Sequence, residues 1–336
     1  MCPRRVFQSK RKTNKPKHYQ LPLLEFNDEA DIDVLEQSIY DLDPKILALL
    51  LQDRTTEKNI LWACDSYVKY GTQYRAECQI LPHQITGVYT KLIQPRTEKT
   101  KEEQKNRTRK KAEVFTPSWL CNEMNNNCDE EWFGRKNVFN EIHPDKSWTP
   151  RTGKIVFPGG DKDWQAYVKT RYLEITCGEA PYLVSRYDTT TGEPLPIERR
   201  IGVLDRKLRV VKENTSKKDW LIWALEAYKS TYGFEFQGDN LLIARENLLL
   251  TFRDYYRQKF PQQEPDEDML KEIADIISWN LWQMDGLKDC VPFSKSETQL
   301  DLFGKHTNRP SLQFCKIKDW DTNSILTYQD LKGGNK

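Results

Sequence analysis

Three acidic residues stand where this chain's spacing can do chemistry. Glu174 lies in YLEITCGEAPYL, Glu235 in YGFEF and Asp285 in NLWQMDGL. Each falls at or near the carboxyl end of a run that reads as a strand. Tyr172, Leu173, Ile175 and Thr176 favour strands, as do the aromatic residues of Tyr232–Phe236. In an open α/β sheet those ends share one rim, and ligands bind there. A carboxylate closing the second strand accepts two hydrogen bonds at once, which suits the hydroxyl pair of a ribose. After the first strand the chain turns at Gly178 and passes Ala180 and Pro181, leaving backbone N–H groups facing open space.

The elements that must position these acids follow in order. Thr189–Lys218 reads as a charged, proline-containing insertion. A helix over Asp219–Ser230 carries Trp220, Trp223, Ala224, Ala227 and Tyr228 on one side. Tyr232–Phe236 is the next strand, and Asp239–Tyr256 a long helix. After a Pro/Glu/Asp loop at 261–268, a helix runs from about Glu267 to Ser278, and Ile277–Leu287 reads as a third strand. This alternation argues an α/β fold with a mostly parallel sheet. Leu312–Ile317 is a further strand. Upstream, AEVFTPSWLCNEM starts a helix with Thr116 as N-cap and Pro117 at its first position. Trp119, Leu120 and Met124 would be its buried side. The stretch around Trp148–Gly160 reads as irregular.

The N-terminal third is different in kind. Residues 1–20 carry Arg4, Arg5, Lys10, Arg11, Lys12, Lys15 and Lys17, a flexible basic arm suited to solvent or to nucleic-acid phosphates. Residues 28–46 are acidic. Pro44–Leu51 and Asn59–Tyr70 show helical periodicity, with Thr55 or Thr56 able to cap the second helix. Lys91–Lys111 reads as an exposed helix with a basic face, either solvated or tracking phosphates. The expected division is an arm (1–20), a helical N-terminal region (21–111) and a larger domain (112–336) with an insertion near 189–218.

Composition bounds the rest. The 336 residues suffice for one large domain or two ordinary ones; 38% are hydrophobic and 30% charged. The net charge of +2 means that any nucleic-acid binding must come from local patches. The eight cysteines form no C-x-x-C pair, and the basic N-terminus has no apolar signal core, so reduced thiols in a cytoplasmic protein are expected. No run approaches the ~18 apolar residues of a membrane span. The four histidines lie far apart, which argues against a His-based metal site or triad.

AEVFTPSWLCNEM, LEITCGEAPYL, YGFEFQGDNLLIARENLLLTF and NLWQMDGL, in that order, resemble the amino-group DNA methyltransferases, above all the adenine-specific methylases of bacterial restriction–modification systems. The resemblance covers roughly residues 110–290. It implies a Rossmann-like fold that binds S-adenosylmethionine and double-stranded DNA. It places Val114, Phe115, Thr116 and Pro117 around the methionine end of the cofactor. Glu174, Cys177 and Gly178 would hold its backbone, with Ala180 in place of the family's second glycine. Glu235 and Phe236 belong to the ribose-binding strand, and Asp285 to the turn beside the adenine ring.

The family's catalytic signature, Asn- or Asp-Pro-Pro-Tyr, grips the target amino group and stacks on the flipped base. No Pro-Pro pair occurs anywhere in this chain. The catalytic residues are therefore unassigned, and three readings stand. The chain can be a cofactor-binding subunit completed by a second chain carrying the catalytic motif. It can be a methyltransferase with a divergent catalytic loop. Or it can be a non-catalytic cofactor- or DNA-binding protein.

Overall fold

The structure, a computed structural model, describes residues 36–111, 113–294 and 312–333. The basic arm lies outside the described residues. The architecture is mixed α/β, with a three-stranded parallel sheet, two antiparallel hairpins and about ten helices. One hydrophobic core runs from Ile39 through Leu50, Trp62, Tyr167, Leu208 and Phe252 to Leu281. The N-terminal region thus shares its interior with the sheet.

Local chemistry accounts for several elements. Helix α1 spans Glu36–Leu42 and α2 spans Pro44–Leu51. The Asp43 side chain accepts the Lys45 N–H at 2.8 Å and Pro44 occupies the first position, a good helix start. Asn59–Tyr70 is not a helix. Its backbone pairs instead: Trp62 N–H donates to Cys78 O at 2.9 Å, and Ala63 N–H to Ala76 O at 2.8 Å. Asp53 accepts the N–H groups of Thr55 and Thr56, so those residues close a turn rather than cap a helix. Ile60, Trp62, Ala63 and Cys64 are all fully buried, so burial on every side mimicked a helical stripe.

In helix α3 (Lys101–Lys111) the stretch 101–109 is exposed apart from the half-buried Gln104 and the buried Arg107. Helix α4 (Ser118–Phe133) begins one residue later than expected, with Pro117 at the N-cap and the Ser118 N–H donating to Asp188 at 2.7 Å. Its buried side is polar. Asn125 donates to Tyr182 O and Ile201 O, and Asp129 takes the Tyr167 hydroxyl and pairs with Arg206. Met124, an expected core residue, is 48% exposed. Strands β1 (Asn140–Ile142) and β2 (Trp148–Pro150) form a hairpin at the start of the stretch that read as irregular, and α5 (Asp161–Lys169) leads into β3 (Tyr172–Ile175).

The expected insertion at 189–218 is in good part core. Val203–Asn214 forms α6, with Leu204, Leu208, Val210 and Val211 buried. Its charges looked solvated because pairing is invisible in a sequence, yet Asp205, Arg206 and Lys207 are buried. Helix α7 (Trp220–Lys229) then leads to β4 (Thr231–Glu235). The Lys207 ammonium donates to Thr170 O at 2.6 Å, Ser230 O at 3.2 Å and Ser230 Oγ at 2.7 Å. Thr170 and Ser230 are the C-caps of α5 and α7, so this cation sits at the negative ends of two helices.

Burial lowers the Lys207 pKa well below an ordinary lysine. Below that folded pKa both states hold the proton, and the fold bears the cost of the buried charge. As pH rises toward the unfolded value, the folded amine loses its proton first, so stability rises. Methionine has no such dependence. The stability of Lys207→Met relative to wild type is therefore expected to be most favourable at pH 6 and to worsen toward pH 10, as read by urea denaturation.

Helix α8 (Gly238–Lys259) starts at a close approach: a Cβ on Gly238 would lie 1.9 Å from Leu61 O. Helix α9 (Glu267–Asn280) is capped by Asp266, whose side chain accepts the Met269 N–H at 2.8 Å. It continues past Ser278, so the third strand, β5, is only Leu281–Gln283. The expected strand at Leu312–Ile317 is shifted to β6 (Lys316–Asp319), which pairs antiparallel with β7 (Ser324–Thr327) before α10 (Tyr328–Gly333).

The parallel sheet runs β3-β4-β5. Its register sets Glu174 beside Gly233, Ile175 beside Phe234 and Glu235 beside Gln283. One face meets the main core. The other carries Phe234, Trp282 and Met284 in a separate small cluster with Val291, Cys315 and Ile317.

Candidate functional site

A cleft of about 560 Å3 opens at the carboxyl ends of β3 and β4. The segment Glu113–Thr116 forms one wall. The turn after β3, Pro181 and Tyr182, the end of β4 and Asn240 of α8 form the rest. Val114, Phe115, Thr116, Glu174, Cys177, Gly178, Glu235 and Phe236, all singled out by sequence, line it together.

Pro117 and Asp285 do not line it. Pro117 serves as the N-cap of α4. Asp285 opens a turn, where it accepts the Leu287 N–H at 3.1 Å and pairs with Lys288 at 3.1 Å. Because β5 ends at Gln283, the chain has already turned away at Asp285.

The turn after β3 is held in an unusual backbone state. Thr176, Gly178 and Ala180 have φ of 50°, 55° and 64°. Gly178 suits this, and a Cβ there would lie 3.6 Å from the Phe115 ring. Thr176 does not suit it, since a β-branched residue with positive φ is strained. Thr176→Gly is expected to raise stability by about 1 kcal/mol, strain relief outweighing the added chain entropy. Thermal unfolding checks this.

Glu235 ties the turn to β4. One of its oxygens accepts the Gly178 N–H at 2.9 Å and the other the Gln237 N–H at 3.0 Å. A carboxylate has about four acceptor positions, so roughly two stay available to a ligand. Burial raises the Glu235 pKa, opposed by those backbone N–H groups. Burial raises Glu174 further, against the pull of the Tyr182 and Leu183 N–H groups and with some help from Glu235.

Sequence reasoning gave no role to the network behind this wall. Arg107 Nε donates to Glu113 Oε2 at 2.7 Å, and its Nη1 to Asp239 Oδ2 at 2.7 Å. Gln237 and Asn240 side chains also donate to Glu113 Oε2, at 3.1 and 3.3 Å. Asp239 takes the Tyr67 hydroxyl at 2.8 Å and lies 3.6 Å from the Lys99 ammonium. Burial alone would raise the Asp239 pKa, but Arg107 and Lys99 outweigh it and hold the carboxyl below its usual range. The only signal in the sequence was one arginine six residues before Glu113 in a basic run.

The cleft's electrostatics are one-sided. Among the described residues three carboxylates line it, and no lysine or arginine does. Glu113 Oε1, Glu174 Oε2 and Gln237 Oε1 are out of solvent and find no donor among the described residues. Buried acceptors normally have partners. The apolar part of the lining includes Val114, Phe115 and Phe236. A fitting ligand therefore brings hydrogen-bond donors or positive charge on an apolar or aromatic frame.

Lys101, Lys105 and Arg109 of α3 are exposed, so part of the expected basic face exists, but Arg107 is turned inward. Among the described residues no helix is long and apolar enough to cross a membrane. Comparison with protein-family models, curated proteins and solved structures returned no match.

Proposed function

We propose that the cleft binds S-adenosylmethionine and that the chain is the cofactor-binding part of a Rossmann-like amino-group DNA methyltransferase, adenine-specific and of the restriction–modification type. One observation carries the reading: among the described residues, three buried acceptors lack donors in a cleft free of basic side chains. S-adenosylmethionine brings a sulfonium, an ammonium and a ribose diol to such a surface. Glu113 and Glu174 would take the cationic end, Glu235 the diol, and Phe236 is the aromatic surface available to the adenine ring. The order of the four resembling segments supports the same reading.

When bound, the cofactor supplies a methyl group already activated by its sulfonium. The chain's own residues orient it and exclude water. Polarising the acceptor amine requires carbonyl acceptors placed opposite the methyl. Without a Pro-Pro motif, that task falls to a second chain carrying it. The exposed cations of α3 would contribute phosphate contacts.

Calorimetry tests the first step. The purified chain is expected to bind S-adenosylmethionine and to methylate no DNA until the second chain is added. No binding at millimolar cofactor would end the proposal. Binding without transfer, with any partner, would favour the non-catalytic reading, which the missing motif keeps in view.

A further inference from the structure

A second cleft, of about 480 Å3, lies between the β1–β2 hairpin, helix α6, the turn Ile197–Arg200 and the end of α8. Asn240 lines the first cleft and Tyr255 the second, so at 1.5 Å per residue the two sit about 22 Å apart along α8. The charge here has the opposite sign. Among the described residues seven lysines and arginines line this cleft against three acids. Two of the seven are spent on the wall itself. Arg209 donates to Glu213 at 2.8 Å and to the Arg151 and Gly153 carbonyls at 2.7 and 3.0 Å, which pins the loop after β2 to α6. Arg206 is taken by Ile201 O, Asp129 and Asn122. Lys154, Arg199 and Lys212 are left over: their charged heads have no acceptor among the described residues, and Arg199 lies 5.2 Å from the Trp148 ring.

The deeper signal is Arg200, whose side chain is only 9% exposed. Its Nε donates to Leu195 O at 3.3 Å and its Nη2 to Asp254 at 2.6 Å. Its Nη1 is out of solvent and finds no acceptor among the described residues. Asp254 cannot serve it fully, since Arg186 shares that carboxylate at 3.6 Å. Asp205 lies near enough for Arg200 to act on its carboxyl. Its Oδ2 accepts the Ser185 and Gly202 N–H groups at 2.9 and 3.2 Å, while its Oδ1 finds no donor among the described residues. Buried polar atoms normally have partners. A donor without an acceptor, beside an acceptor without a donor, calls for one ligand that does both.

We propose that this cleft binds a phosphomonoester carried on a compact organic frame, the class of nucleotides and sugar phosphates. Such a group brings about −1.5 to −2 charge and several acceptor oxygens to Lys154, Arg199, Lys212 and Arg200. Its monoprotonated form, or a hydroxyl of the frame beside it, donates to Asp205. An ionised carboxylate only accepts, whether it belongs to an acidic segment of this chain or of another. The phosphodiester of a nucleic-acid backbone likewise only accepts. The volume falls within the range of small-molecule sites and exceeds what inorganic phosphate needs, which is the reason for the frame. This site is independent of the cofactor reading above.

Calorimetry on the full-length chain tests it with adenosine 5′-monophosphate, glucose 6-phosphate, inorganic phosphate and a duplex oligonucleotide lacking terminal phosphates. At least one of the first two is expected to bind at least tenfold more tightly than inorganic phosphate and to keep its affinity when the duplex is present. Lys154→Gln combined with Lys212→Gln should weaken that binding at least tenfold while leaving the melting temperature unchanged, because neither ammonium has a partner to lose. The double variant lies outside the first cleft, so it also separates binding here from binding there. Four results would overturn the proposal: neither phosphomonoester binding at millimolar concentration, inorganic phosphate binding as tightly, displacement by the duplex, or an affinity that the double variant leaves unchanged. S-adenosylmethionine binding is read in a separate titration, so either proposal can fail alone.

Discussion

Arg107→Met is expected to cost about 3–5 kcal/mol of stability, the usual result of removing one partner from a buried ion pair. The loss comes from what stays behind. Asp239, wholly buried, and Glu113, nearly so at the cleft wall, both lose their guanidinium. Lys99, at 3.6 Å, offsets only part of the Asp239 charge. The pH dependence identifies the cause. In the wild type Asp239 has a depressed pKa, so its contribution is present above the unfolded value of 3.8 and is lost as pH falls through the folded one. In the variant that contribution is missing, so the deficit should be full and level above pH 4 and should shrink as pH falls below 3.8 toward the folded pKa. Urea denaturation on both sides of pH 3.8 measures it. Faster hydrogen exchange over α3 should accompany it, because the rest of that helix is largely exposed. A deficit independent of pH would mean that packing, not charge, holds the wall.

The second large effect is on ligand affinity. Glu174→Gln is expected to weaken S-adenosylmethionine binding at least tenfold, because it removes a charge from a cleft whose ligand is read as cationic. Its effect on stability has the opposite sign. Burial raises the folded pKa of Glu174, so the folded state holds a proton that the unfolded state has lost above 4.5. Wild-type stability attributable to this group therefore falls as pH rises from the unfolded pKa to the folded one. Glutamine does not titrate, so the variant should gain on the wild type steadily between pH 5 and pH 8. A cation binds best to the ionised acid, so wild-type affinity should rise over the same interval and the variant's should stay flat. Calorimetry and denaturation on the same samples check both halves. Equal affinity in the two proteins would remove Glu174 from the site.

Much of the scaffold was legible because its signals are local. Asp43 before Pro44 marks α2, and the long apolar run after Gly238 marks α8. YGFEF is a strand by composition, and Glu235 closes it as expected. The cleft was legible for a related reason: a short strand ending at Gly178 fixes where the next residues point. What stayed hidden depends on partners distant in sequence. Asp205, Arg206 and Lys207 look like a solvated face until Asp129, Ser185 and the carbonyls at Thr170 and Ser230 surround them. Glu113 and Asp239 are 126 residues apart and share one arginine, a contact no spacing rule reveals. Asp285 misled because α9 runs to Asn280 and shortens the third strand.

Arg245 has a consequence for the order of events in the cell. It lies wholly buried in α8, where burial lowers its pKa to about 9. It donates to Leu50 O and Gln52 O at the end of α2 and to Leu281 O at the start of β5. The carbonyls of α2 thus wait for a residue 195 positions downstream. At about 5–20 residues per second of synthesis, that wait is roughly 10–40 s. Throughout it, Ile46, Leu47 and Leu50 have no completed core to enter. The nascent N-terminal third is therefore a natural client for a chaperone at the ribosome, and synonymous codons that slow translation before residue 245 would lengthen its exposure.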